Sequence, residues 1–389
     1  MSIERYVFKK KVVNLKLSKN IIKKVPLVIV YDNRDKIYIV HPISQFIFDN
    51  YFNSKFNSQR MAIDKVIPFL NYVVSKGVKL SELRFVHGER FLNSLSLNGL
   101  AKNTVKKYEQ VLTKFYYWLS KNKIIKIQIS KFIINEKEKY VQSPFKKIIY
   151  NPSLPTNNII HTIKLELVPM FLDTAIKETN IIALGVYFQL FGGLRKGAIV
   201  NLKKSSVNLM GVNGEYGIEL NIKKNYFRND IADSSGSTEV KKQRKQIVLS
   251  VGNNILTYLY QNHINKYTNN KTDALFSNNN GKAMTGASYE YYFKKLRQAF
   301  IRRLLDSDDI RLNGYGKVLS TQKWSTHIGR GIFSNMVAEY SNELQLSIIR
   351  GDSNVNSSRI YVEKSEKAIN KISDALNKMY FDVIKDLKE

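Results

Sequence analysis

The sequence predicts a mixed fold, mainly α-helical with a small antiparallel sheet, and three observations carry that expectation. Between Lys102 and Lys121 apolar residues recur at spacings of three and four, the period of one helix face. From Leu167 to Leu190 the chain is apolar for longer than a strand needs and reads as helical, ending at Gly192-Gly193. Ile218, Leu220 and Ile222 alternate instead, the period of a strand, and Gln246-Ile-Val-Leu249 returns after a long polar turn (Asn225–Glu239). With 389 residues, 43% of them apolar, the chain has room for two or three folded domains.

Residues 1–52 are expected to form a small N-terminal β element. Val28-Ile-Val-Tyr31 and Lys36-Ile-Tyr-Ile-Val40 are β-rich, and Asp32-Asn-Arg-Asp35 between them reads as a hairpin turn. Residues 53–135 are helical. Val105, Tyr108, Val111, Leu112, Phe115, Trp118 and Leu119 make one apolar stripe, read as core. The opposite face carries Lys102, Lys106, Lys107, Lys114 and Lys121, and two readings stay open for it: a solvated face or a clamp on a DNA backbone. Residues 136–164 read as a linker, because Pro144, Pro152 and Pro155 sit there among Ser, Asn and Thr. A larger domain spans 165–364, mostly helical after its sheet, with a loop at Phe276–Gly286. In 365–389, Ile369, Ile372, Leu376, Met379, Val383, Ile384 and Leu387 line one side of a last helix, which can dock on its own domain or on a neighbouring subunit.

The net charge is +30 and the pI near 9.8. Charge of that size concentrates a polyanion and releases its counterions, so nucleic acid is the leading partner. A basic protein from an AT-rich genome is the bland alternative. There are no cysteines, which removes disulfides, thiol nucleophiles and Cys-ligated zinc. The charged start lacks the apolar core of a signal peptide, and Ile181–Leu194 is too short to span a bilayer. A cytoplasmic, nucleoid-associated protein without a membrane partner is expected. Gly281-Lys and Gly316-Lys lack the rest of a nucleotide-binding loop, and Asp306, Asp308 and Asp309 read as a solvated loop rather than a metal site.

The residues that point to chemistry are Arg195, His327, Arg330 and Tyr361. Two arginines can pair with the non-bridging oxygens of a phosphodiester in a planar fork. His327 and Arg330 sit three apart, so on a helix both can face one phosphate. A tyrosine hydroxyl beside such a clamp is a plausible attacking group. Each residue alone is weak evidence, since there are 23 tyrosines. Together and in this order they are specific.

On these residues Leu165–Lys364 resembles the catalytic domain of the tyrosine recombinase (phage integrase) family. Phe191-Gly-Gly-Leu-Arg-Lys-Gly-Ala-Ile-Val-Asn-Leu202 looks like the first-arginine motif, and Thr326-His-Ile-Gly-Arg330 resembles the His-x-x-Arg box. Ile348-Ile-Arg-Gly-Asp352 occupies the place of the box that usually ends in His, and Arg359-Ile-Tyr361 looks like the nucleophile segment. Residues 59–125 resemble the family's helical core-DNA-binding domain. The resemblance implies that domain and the catalytic domain closing as a clamp around DNA, with residues 1–52 either binding accessory arm sites or bracing the clamp.

It also implies a reaction: Tyr361 attacks the scissile phosphate, giving a 3′-phosphotyrosyl link and a free 5′-hydroxyl. Arg195 and Arg330 hold the non-bridging oxygens, and His327 takes the tyrosine proton or hydrogen-bonds the phosphate. A strand lysine protonates the leaving oxygen; strand register favours Lys224, with Lys223 as the fallback and DNA contact. Asp352 stands where the family commonly has a hydrogen-bond donor. Either it orients His327 or Arg330, or it is protonated in the complex, or Ser353 donates instead. Gly329 and Gly331 also differ from the commoner residues beside the second arginine. No metal, cofactor or ATP is required, because arginines carry the charge work and the ester conserves the energy of the broken bond. The expected partner is double-stranded DNA with a specific recombination site, bound by a homotetramer in the synaptic complex, the free protein being a monomer in solution. The function implied is a site-specific recombinase of a mobile element. Open alternatives are a type IB-like topoisomerase or telomere resolvase, and a non-catalytic DNA-binding protein on the same scaffold.

Overall fold

The computed structural model describes residues 5–18, 21–135, 140–151, 160–225, 227–228, 230–231, 233, 236–252 and 255–338. It divides into two compact units, Met1–Asn157 and Asn158–Glu389, each with its own apolar core.

The first unit opens with a three-stranded antiparallel sheet of β1 (Tyr6–Ser18), β2 (Ile21–Asp32) and β3 (Tyr38–Val40), arranged in chain order. The β2–β3 turn is closed by Asp32, whose carboxylate accepts the Arg34 and Asp35 amides at 2.8 and 3.2 Å and pairs with Arg5 at 3.0 Å. The longer ribbon, in which Tyr6 pairs with Asp32 and Lys16 with Ile22, goes beyond the sequence expectation. Lys9-Lys10-Lys11 hides it by interrupting the alternation. In the sheet Lys9 lies 3.6 Å from the Tyr31 ring centroid, Lys11 lies 3.3 Å from that of Tyr38, and Lys10 crosses to Asp64 at 2.6 Å. Each lysine finds a π face or a carboxylate, so the run is compatible with a strand.

Four helices follow: α1 (Gln45–Tyr51), α2 (Phe56–Ser75), α3 (Phe85–Leu97) and α4 (Lys102–Lys121). Asn71 on α2 bonds both backbone groups of Phe8, accepting at 2.8 Å and donating at 3.1 Å. Val25 and Val28 of β2 are buried in the same core as Phe69, Phe115 and Trp118, so ribbon and helices are one body. On α4 the buried residues follow the predicted stripe, while Lys106, Lys107, Lys114 and Lys121 are exposed and Lys102 is half-buried. Two short strands, β4 (Ile134–Asn135) and β5 (Tyr140–Val141), pair beyond it.

The second unit contains α5 (Val168–Glu178), α6 (Asn180–Gly192), α7 (Lys196–Ile199), β6 (Val207–Met210), β7 (Gly217–Ile222), β8 (Arg244–Val248), α8 (Ile255–Tyr267), α9 (Gly286–Leu305), α10 (Ile310–Thr321) and α11 (His327–Ala338). The apolar run read as one helix is two. Thr179, at φ −142° and ψ 47°, ends α5 and begins α6. Helix α6 is buried from Ile182 to Gly192, which makes it the central element and explains its lack of a polar face. The sheet is an antiparallel meander, β6-β7-β8, with Ile218, Leu220 and Ile222 of β7 turned into the core. It is pinned to α6 where β8 ends: the Leu249 amide donates to the Phe191 carbonyl at 3.0 Å, and the Tyr187 hydroxyl donates to the Leu249 carbonyl at 2.9 Å. Among the described residues no helix is long and apolar enough to cross a membrane.

Candidate active site

The site is built where α6 ends. Gly193 has φ 62°, a left-handed conformation that glycine adopts without strain, and it reverses the chain so that Arg195 falls at the start of α7. The Gly193 carbonyl, freed by the helix end, accepts Arg330 Nη1 from α11 at 2.7 Å. Arg330 is only 5% exposed. A guanidinium this deep is costly unless its donors are used, so its placement is a strong local constraint. The bond brings the second arginine to within two residues of the first. His327, one turn before Arg330, opens α11 and is exposed.

That first turn of α11 is fastened from below. Buried Gln189 donates to the Thr326 carbonyl at 3.1 Å and accepts the Tyr289 hydroxyl at 3.1 Å, joining α6, α9 and α11. The glycines beside Arg330 have the same cause. A Cβ at Gly329 would meet the Gln189 side chain at 2.6 Å, and one at Gly331 would run into the His161 carbonyl. Helix α11 therefore approaches its neighbours more closely than a side chain permits at either position. Glycine at both positions is a packing requirement of this chain.

The turn after β7 supplies further cations. The strand ends at Ile222, so Lys223 and Lys224 lie just beyond it, both exposed. Lys224 continues the inward parity of 218, 220 and 222; its amide donates to Gln243 at 3.0 Å and its ammonium lies 3.7 Å from Glu239. The carbonyl of Glu239 packs where a Cβ on Gly197 would sit, so the far end of the turn rests on α7. Thr238 in turn accepts the Gly286 amide at 3.0 Å at the start of α9. Lys196, next to Arg195, pairs with Glu290 on α9.

These charges converge on His327. Partial desolvation first, then the positive charges of Lys241, Arg195, Lys196 and Arg330, hold its imidazole below the ordinary value of 6.5. The ring is therefore neutral at neutral pH and able to accept a proton. A cluster of arginines and lysines around a neutral imidazole suits a phosphodiester: the cations balance the anion, and the imidazole can take a proton from an attacking hydroxyl.

The structure thus brings together Arg195, His327 and Arg330, and it places Lys224 on the turn that docks beside them. Tyr361, Asp352 and the last helix lie outside the described residues. Lys102, Lys106, Lys107 and Lys114 belong to the first unit. There, burial first and then the charges of Lys107 and Arg60 lower the pKa of Lys65, against a raising influence from Asp64. Asp309 caps α10, accepting the Arg311 amide at 2.8 Å, and no group of three metal-ligating side chains occurs among the described residues. Sequence reasoning missed Lys241, Lys196 and Asn201. The lysines are two among 62 basic residues, and buried Asn201 bonds Asn225 and Thr238, 24 and 37 residues further along the chain.

No protein-family model matches the chain, and no curated protein matches it. Solved structures do. An integrase of the Tn1549 transposon in complex with circular intermediate DNA is 15% identical, with a TM-score of 0.55 over 82% of this chain and 93% of that one. The same integrase with transposon right end DNA is 14% identical, with a TM-score of 0.53 over 85% and 97%. The XerH site-specific recombinase bound to palindromic difH substrate is 18% identical, with a TM-score of 0.50 over 82% and 80%. Both units find counterparts at these coverages, and the chain has the tyrosine-recombinase fold that its motifs predict.

Proposed function

We propose that the protein is a site-specific DNA recombinase of a mobile element, cutting and rejoining duplex DNA through a 3′-phosphotyrosyl intermediate. The bond from Arg330 to the Gly193 carbonyl carries the reading, because it joins the two arginine motifs at one place with His327 a turn away. Arg195 and Arg330 hold the non-bridging oxygens. The Tyr361 oxygen attacks phosphorus as its proton passes to His327, and the phosphorus–5′-oxygen bond breaks. Lys224 gives the leaving oxygen its proton. Asp352 orients His327 or Arg330.

In this reading residues 53–135 grip the DNA backbone through Lys102, Lys106, Lys107 and Lys114. The catalytic domain of 165–364, with Lys223 as a further contact, closes the clamp, and 136–164 links the two. The β element of 1–52 serves accessory contacts. Residues 365–389 join subunits in a tetramer on two paired sites, and the reaction runs in the cytoplasm on the nucleoid. The Tn1549 integrase, whose structures hold transposon DNA, supports this choice of substrate.

The test is to express wild type and Tyr361→Phe in cells carrying the native locus, lyse in SDS, and sequence DNA covalently attached to protein. Tyrosine-dependent adducts at one or two discrete sites are expected. Adducts scattered over the genome would indicate a topoisomerase, and ordinary DNA binding with no adduct a non-catalytic protein.

A further inference from the structure

One buried side chain ties the β7–β8 turn to the helix that Arg195 opens. Asn201 is 2% exposed. Its Nδ2 donates to the Gly197 carbonyl at 2.8 Å and the Thr238 carbonyl at 2.5 Å. Its Oδ1 accepts the Asn225 amide at 3.0 Å, and its backbone carbonyl accepts Asn225 Nδ2 at 2.7 Å. Asn201 therefore holds three points at once: α7 at Gly197, the start of the turn beside Lys224, and its end at Thr238, beside Glu239 and three residues from Lys241. An amide suits the place, since two donors and an acceptor are all used. Aspartate would turn an oxygen toward two carbonyls, and an apolar residue would leave two carbonyls and an amide without this partner.

We propose that Asn201, with Asn225, is a positioning residue for proton transfer: it sets Lys224 against the arginine clamp. The inference rests on the recombinase reading and adds to it the part that aligns the general acid. In cleavage the phosphorus–5′-oxygen bond breaks, the oxygen leaves with the bonding pair, and it takes a proton from the Lys224 ammonium, which becomes an amine. If sulfur replaces that oxygen, a thiolate leaves instead. A thiol has a pKa of about 8.5, so its departure needs no acid. A residue that acts only by placing Lys224 matters for the oxygen substrate and not for the sulfur one.

The experiment uses the full chain and duplex oligonucleotides spanning the adduct site recovered from cells, with either oxygen or a single bridging sulfur at the scissile 5′ position. Asn201→Leu and Asn225→Ala are compared with wild type and Lys224→Ala. Misplacing a catalytic group by an ångström costs on the order of 10- to 100-fold, so that loss of adduct rate is expected on oxygen. On sulfur, rates comparable to wild type are expected, with unchanged DNA affinity. Asn225→Ala leaves the buried amide in place and decides the matter if Asn201→Leu fails to fold. Equal losses on both substrates, or no loss on either, would overturn the proposal. Failure of sulfur to rescue Lys224→Ala would instead remove Lys224 as the acid, and a wild type that forms no adduct would remove the recombinase reading itself.

Discussion

The two units carry positive charge in opposite ways. On α4, Lys106, Lys107 and Lys114 project from a solvated face, backed by a core that would be the same without them. In the second unit Arg330 is 5% exposed and held by a helix-end carbonyl, with glycine on either side so that its helix can approach. A lysine on a solvated face costs the fold almost nothing, whereas burying a guanidinium costs several kcal/mol unless its hydrogen bonds are made. Charge of the first kind suits affinity for any polyanion; charge of the second kind suits one geometry.

The contrast makes separable predictions. Arg330→Ala should slow formation of the covalent adduct by about 10²- to 10³-fold, the usual loss when a donor to a developing oxyanion is removed. Arg330→Lys should recover little of it, because an ammonium lacks the planar fork. Single-turnover adduct kinetics at saturating DNA would check both, and a rate close to wild type would break the comparison from the catalytic side. The paired change Lys106→Gln and Lys107→Gln should do the reverse. If each lysine neutralises one phosphate, the slope of log affinity against log salt should fall by about 0.9 per lysine, leaving the saturated rate alone. Titrations at several salt concentrations measure it, and an altered rate with an unchanged slope would break the comparison from the binding side.

The smallest effect concerns His327. Lys241, Arg195, Lys196 and Arg330 favour its neutral form, so removing one of them must raise its pKa. Lys241→Ala should move the imidazole titration toward 6.5, and the acid limb of adduct formation should shift to higher pH with it. NMR of the His327 ring, assigned by substitution, reads the shift directly.

Much of this was legible in the sequence wherever the determinant is local. The α4 stripe follows from period alone, since its core residues face inward at spacings of three and four. The arginine motifs could be found because glycines and a His-x-x-Arg spacing mark them. The break at Thr179 was hidden because Lys177-Glu178-Thr179-Asn180 also fits one solvated turn of a continuous helix, and α6, buried from Ile182 onward, has no periodicity to mark a new start. Strand β1 was hidden by lysines that tertiary neighbours accommodate. Asn201 was invisible for a related reason: Asn225 and Thr238 become its neighbours only once the meander has formed. Gly329 and Gly331 could be noticed as departures, but only Gln189 and the His161 carbonyl explain them.

The central claim is that the arginine and histidine cluster serves a tyrosine that bonds to DNA. The most direct measurement is to trap the SDS-stable adduct with a duplex containing the cleavage site, digest protein and DNA, and identify the nucleotide-bearing peptide by mass spectrometry. The account predicts a 3′-nucleotide on Tyr361, absent from Tyr361→Phe and formed about 10²- to 10³-fold more slowly with Arg330→Ala. A nucleotide on another residue, or an adduct that survives in Tyr361→Phe, would contradict it.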